Sequence, residues 1–159
     1  MTVSNTKKNK LIEISGLDIS FSKNEDKPLV VNSVNLTLEK GKMLGVVGES
    51  GSGKTMLALS LLGLLPPGGR ITGGKIIFDG IDLANATQNQ LAKFRGREIG
   101  MIFQEPMMSL NPSLKIGFQL KEGLLSHQDL NRKVAHRLCI EMLEKIRMKE
   151  PETCLNKYP

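Results

Sequence analysis

Between Leu11 and Phe21 the apolar residues Ile12, Ile14, Leu17 and Ile19 are set among polar neighbours. This alternation predicts a half-buried strand. The polar group Asn24 to Pro28 predicts a turn. Leu29 to Val31, with Val34, Leu36 and Leu38, predicts a second strand, closed by Glu39-Lys40-Gly41-Lys42. Met43 to Val47 is apolar at nearly every position, the pattern of a parallel strand buried on both faces. A helix is predicted from Lys54 to a stop near Pro66-Pro67-Gly68-Gly69. Residues 73–83 predict two short strands around an Asp79-Gly80 turn. Thr87 to Arg97 predicts a helix with Leu91 and Phe94 inward, and Ile99 to Phe103 a further strand. After Asn111-Pro112 the chain predicts helices. There Leu130, Val134, Leu138, Met142 and Ile146 recur every four residues as a core-facing stripe. The fold class implied is α/β, with an antiparallel β layer beside a parallel sheet and helices following.

One stretch carries chemistry. Gly48, Glu49, Ser50, Gly51, Ser52, Gly53, Lys54 and Thr55 stand between the apolar run at 43–47 and the helix that starts at Lys54. A buried strand, a glycine-rich turn and a helix start are the setting of a phosphate-binding loop. The glycines let successive N–H groups turn toward a common centre, and the positive end of the helix dipole adds to that field. In such a loop Lys54 reaches the outer phosphates of a nucleoside triphosphate and the Thr55 hydroxyl sits on Mg²⁺.

Composition narrows the ligand. The chain has 159 residues, 40% hydrophobic and 24% charged, an ordinary globular balance that excludes a disordered chain. A net charge of +6 calls for an anionic neighbour, with Lys7, Lys8 and Lys10 contributing to a solvated tail. Five Phe, one Tyr and no Trp leave little aromatic surface for stacking single-stranded nucleic acid, so no nucleic-acid partner is expected. Cys139 and Cys154 form neither a disulfide framework nor a paired metal motif, and Cys139 reads as a small buried thiol on a helix. The polar N-terminus lacks the apolar segment of a signal peptide, and the longest apolar stretch, Met56 to Leu65, is too short to cross a bilayer.

A phosphate loop alone fixes no substrate. The residues around it do more. Gly48 to Thr55, then Leu61-Leu62-Gly63-Leu64-Leu65-Pro66, then Gly73 to Leu83, then Ile99-Gly100-Met101-Ile102-Phe103-Gln104-Glu105-Pro106 running on to Ser109-Leu110-Asn111-Pro112, resemble the ATPase subunits of ABC transporters. Within them the pattern is similar to the dipeptide, oligopeptide and nickel importer branch, from about residue 11 to the end. The resemblance implies a P-loop NTPase fold of ABC type, ATP and Mg²⁺ as ligands, and a cytoplasmic place on the inner face of the membrane. Gln104 matches the Q-loop glutamine, which in the family touches Mg²⁺ and the attacking water. The region Gln104 to Pro112 would dock on transmembrane permease subunits, and a second ATPase subunit would close over the nucleotide. Phe21 matches the aromatic that stacks on adenine, although it also reads as a core aromatic on an alternating strand. The implied division is a polar tail at 1–10, the N-terminal part of the nucleotide-binding domain at 11–114, and the start of a helical subdomain at 115–159.

The chain also departs from the family. No second apolar strand ends in Asp-Glu, and the Leu-Ser-Gly-Gly-Gln signature is missing. Asp79 follows Ile76-Ile77-Phe78, but Gly80 stands where a catalytic glutamate belongs, so turn chemistry accounts for it. His127 and His136 read as surface residues. The polar end, Lys149 to Pro159, lacks the pattern of a finished domain, and a fragment of this kind would leave sheet surface bare and be marginally stable alone. Two functions follow: the ATP-binding portion of an importer ATPase, without turnover of its own, or a non-catalytic fragment that docks on membrane subunits or on a full-length ATPase. A GTPase is disfavoured, because Asn156-Lys157 is followed by Tyr158-Pro159 rather than the guanine-reading Asn-Lys-x-Asp.

Overall fold

A computed structural model describes residues 9–22, 28–104 and 109–159. The predicted turn before Pro28 and nearly all of the predicted tail lie outside them. The chain divides into two compact units, one ending at Phe94 and one starting at Arg95.

The first unit is built on β1 (Lys10–Ser20), β2 (Val31–Glu39), β3 (Arg70–Phe78) and β4 (Ile81–Asp82). They form one antiparallel sheet in the order β2-β1-β3-β4. β1 is central, and Ile14 lies opposite Leu36 on one side and Ile76 on the other. Ile14, Leu17, Ile19 and Ile76 are no more than 2% exposed. The spacing of three between Ile14 and Leu17 interrupts the alternation. Register with both neighbouring strands shifts there, a bulge that returns Leu17 to the inner face.

Asp79 (φ 44°) and Gly80 (φ 88°) both take left-handed conformations between β3 and β4, as a two-residue hairpin turn of the primed type requires. The Asp79 N–H donates to Leu11 O at 2.8 Å and its carboxylate meets Lys40 Nζ at 2.6 Å. The turn reading holds.

Helix α1 (Lys54–Leu61) ends earlier than predicted. Leu64 N donates back to Leu59 O at 3.0 Å and Gly63 N to Ser60 O at 3.1 Å, which closes the last turn ahead of Pro66. Helix α2 (Gln88–Phe94) starts on a reciprocal cap. Gln90 N donates to Thr87 Oγ1 at 3.3 Å and Thr87 N to Gln90 Oε1 at 2.8 Å. Its inner face carries Leu91, buried, and Phe94, whose ring meets Phe78 edge-on with centroids 6.0 Å apart.

The two apolar segments predicted as strands at 43–47 and 99–103 do not join a ladder. Residues 43–47 have no strand assignment, with Met43 99% and Val47 93% exposed. Residues 99–103 likewise form none, apart from a single parallel bridge between Arg95 and Ile99, and Ile102 is 92% exposed. The reason is physical: a strand exists only through partner backbones, and the described residues supply none beside these segments.

The second unit packs α3 (Ile116–His127), α4 (Arg132–Lys145) and α5 (Pro151–Asn156). Asn131 caps α4 by accepting from Val134 N at 2.9 Å. A Cβ on Gly117 would lie 2.7 Å from Leu155 O, so α3 approaches α5 backbone to backbone at that point. The core is Cys139, Leu143 and Leu155, with Leu124, Ile140 and Cys154 packed on it. This corrects the predicted stripe. The buried face of α4 is Ala135, Cys139 and Leu143, whereas Met142 is 57% and Ile146 66% exposed. Residues four apart advance about 40° around a helix of 3.6 residues per turn, so a five-residue stripe winds roughly 160° and cannot stay on one face.

Burial pushes the Cys139 thiol above its ordinary pKa, with the nearby Lys121 charge opposing. A pKa raised in the folded state holds its proton more tightly there. The stability it contributes is full below the unfolded value and is lost as pH rises through the folded value, in the alkaline range. Iodoacetamide at mildly alkaline pH should therefore label half-buried Cys154 faster than Cys139, by roughly tenfold or more. Peptide mass spectrometry of a labelling time course checks this, and equal rates would contradict the packing of α4.

Candidate functional site

Residues 48–55 form a turn that enters α1 directly at Lys54. Two of its glycines are left-handed: Gly51 at φ 82° and Gly53 at φ 88°. Gly53 is pressed against the start of β2. A Cβ there would lie 2.6 Å from Val30 O and 3.1 Å from Val31 Cγ2. Val30 N in turn donates to Ile19 O at 2.9 Å, so the floor of the turn is tied to the sheet core. Side-chain-free backbone at 53 is what allows α1 to begin this close to β2.

The Lys54 side chain folds back over the turn. Its Nζ donates to Gly48 O at 2.7 Å, Glu49 O at 2.5 Å and Ser52 Oγ at 3.2 Å. Ser52 N donates to Glu49 O at 3.3 Å and tightens the same curve. A Cβ on Gly48 would stand 2.9 Å from Ser52 Oγ, so the mouth of the turn is narrow as well. No side chain caps α1, and its first-turn N–H groups have no intrahelical partner by construction of a helix. The turn thus holds one ammonium group beside a helix start whose first N–H groups have no intrahelical partner. Glu49, Ser50, Gly51 and Thr55 are exposed around it. Such an arrangement fits a polyphosphate, whose oxygens accept from both kinds of donor.

Phe21 lies just past the end of β1 with 39% of its surface exposed. Its ring rests on Gly69, where a Cβ would meet it at 2.8 Å. It belongs to the same unit as the phosphate loop and is not a core aromatic. Gln104 is exposed and belongs to the second unit; residues 105–108, predicted as part of the docking region, lie outside the described residues. His127 and His136 are half-buried rather than on the open surface. The His127 ring sits against Gly96, and His136 Nε2 is 3.8 Å from Glu152 Oε1. Neither Ser52 as a partner of Lys54 nor Val30 and Val31 as the floor of the turn was legible from the motif. The sequence signal there was the apolar triplet Leu29-Val30-Val31, which read as the start of the second strand.

Among the described residues no group of three or more His, Cys, Asp or Glu is placed to hold a metal ion. No helix among them is long and apolar enough to cross a membrane.

A glycine turn that opens directly into a helix beside a β layer is the arrangement of the P-loop NTPase class. The ABC transporter family model matches residues 31–158, and the chain belongs to that family. It is 39% identical over 151 residues to the oligopeptide transport ATP-binding protein OppD of Bacillus subtilis, covering 94% of this chain and 42% of the relative. Against OppD of Escherichia coli it is 40% identical over 149 residues, covering 94% and 44%. Against the dipeptide transport ATP-binding protein DppD of Bacillus subtilis it is 37% identical over 151 residues, covering 94% and 45%. The chain therefore spans less than half the length of these curated relatives. Among solved structures, a dimeric ATP-binding cassette in a post-hydrolysis state, bound to ADP and Pi, superposes with a TM-score of 0.77. It is 21% identical, and the match covers 93% of this chain and 61% of that one. At that identity it supports the cassette fold.

Proposed function

We propose that this chain is the ATP-binding portion of an ABC importer ATPase that powers uptake of peptides, nickel or similar solutes. The observation that carries the proposal is the Lys54 ammonium group held over the left-handed glycines of the 48–55 turn, at the uncapped start of α1. In this reading Gly48, Glu49, Ser50, Gly51, Ser52 and Gly53 cradle the phosphates with backbone donors, while Lys54 neutralises the outer phosphate charge. The Lys54 contacts to two carbonyls would be exchanged for phosphate oxygens, which are stronger acceptors for an ammonium group. Phe21 offers its exposed face to adenine. The Thr55 hydroxyl would hold Mg²⁺, which supplies neutralisation of phosphate charge when bound, and Gln104 would keep the magnesium- and water-contacting role that the family resemblance implies for it.

The region Gln104 to Pro112 would dock on permease subunits, and a second ATPase subunit would pair with the nucleotide face, on the cytoplasmic side of a membrane. Turnover needs an acidic magnesium ligand and a group that positions the attacking water. Asp79 does not serve, since its carboxylate is paired with Lys40 and its backbone makes the hairpin turn. The second reading, a non-catalytic fragment that docks on membrane subunits or a full-length ATPase, draws on the same observation. These 159 residues should bind ATP·Mg²⁺ without appreciable hydrolysis. Isothermal titration with ATP, and phosphate release over hours, test this together. Release of phosphate that Lys54→Ala abolishes would refute the separation of binding from turnover.

A further inference from the structure

Gln119 makes three side-chain hydrogen bonds, all to the segment at the C-terminal end of the proposed docking region. Its Oε1 accepts from Asn111 N at 2.8 Å, and its Nε2 donates to Asn111 O at 3.0 Å and to Leu114 O at 2.9 Å. Asn111 holds the same segment from inside. Its Oδ1 accepts from Ser113 N at 2.9 Å, and its carbonyl also accepts from Leu114 N at 3.2 Å. The segment is otherwise open, with Asn111, Pro112, Ser113 and Leu114 all exposed. One amide on the first turn of α3 therefore fixes both the donor and the acceptor of Asn111, which a backbone in a strand would obtain from a neighbouring chain segment. Gln119 contacts neither the phosphate loop nor any core residue in these bonds, so packing does not explain it.

We propose that Gln119 is a positioning residue: it sets residues 111–114 in the single shape that a membrane partner reads. The inference rests on the reading that Gln104 to Pro112 is the docking surface. A preshaped loop binds without the ordering cost that an unshaped one must meet, so the effect appears in partner affinity.

The test compares Gln119→Met, which keeps the bulk and removes all three bonds, with Gln119→Glu, which keeps an acceptor and removes both donors. Pro112→Asp places a charge on the docking surface and touches none of these bonds. Amide exchange at Asn111, Ser113 and Leu114 and retention on immobilised permease subunits of an oligopeptide importer are measured for each. Gln119→Met should raise exchange at all three amides by roughly fivefold or more, the size of one lost hydrogen bond, whereas Gln119→Glu, which keeps the acceptor of Asn111 N, should raise it at Ser113 and Leu114. Exchange at Cys139 and Leu143 should stay unchanged, which general unfolding would not allow. Retention should fall for all three variants, and only Pro112→Asp should leave exchange as it was. Unchanged exchange in the Gln119 variants overturns the clamp. Faster exchange with full retention, while Pro112→Asp loses retention, overturns the positioning role alone. Full retention by all three overturns the docking reading and the inference with it.

Discussion

Replacing Lys54 with alanine is expected to lower ATP·Mg²⁺ affinity by roughly tenfold to a hundredfold, the range for loss of hydrogen bonds from a charged group. The expectation follows from where the ammonium group sits. Three acceptors of the turn, Gly48 O, Glu49 O and Ser52 Oγ, hold Nζ across its mouth. Removing it deletes the one full positive charge within the turn and leaves neutral N–H donors to face a polyanion. A second effect adds to the first. The lysine also cross-braces the turn, so the alanine variant should loosen residues 48–52, visible as faster amide exchange there. Lys54→Arg keeps the charge but carries a planar fork that cannot follow the same three contacts, and should recover only part of the affinity. Titration calorimetry at fixed ionic strength distinguishes the three proteins. An alanine variant that binds as tightly as the parent would mean the turn does not receive phosphate.

Gly53→Ala is expected to be the most damaging single methyl addition in the 48–55 turn. A non-glycine residue held at φ 88° costs on the order of 1–3 kcal/mol by itself. Here the new Cβ would also stand 2.6 Å from Val30 O, a backbone atom that cannot turn aside as a side chain would. Gly51→Ala is the control. Its φ is 82°, but nothing lies within 4 Å of the position. Both variants pay for the backbone conformation; only Gly53→Ala must also push α1 off β2. Thermal unfolding should show the larger loss for Gly53→Ala, and nucleotide affinity should fall with it, since the start of α1 moves. Equal losses would show that the close approach to Val30 is not what the glycine provides.

The sequence by itself determined the elements whose causes are local. The alternation from Ile12 to Ile19 placed β1, and Asp79-Gly80 placed the hairpin because only left-handed residues close it. Gly48 to Thr55 announced a phosphate loop because its glycines and lysine are chemically specific in that order. The tertiary structure decided whatever depends on a partner. Residues 43–47 and 99–103 have the composition of buried strands, yet they make no ladder, because composition cannot supply the neighbouring backbone that a strand needs. The apolar stripe from Leu130 to Ile146 pointed at one face of α4. Packing against α3 and α5 chose the adjacent face, Ala135, Cys139 and Leu143, each one residue on from the predicted stripe and so about 100° around the helix. The grip of Lys54 on Gly48 and Glu49, the seat of Gly53 on Val30, and the hold of Gln119 on Asn111 join residues between five and 23 positions apart. Such contacts arise from the path of the chain in space, and no local pattern of residue types encodes that path.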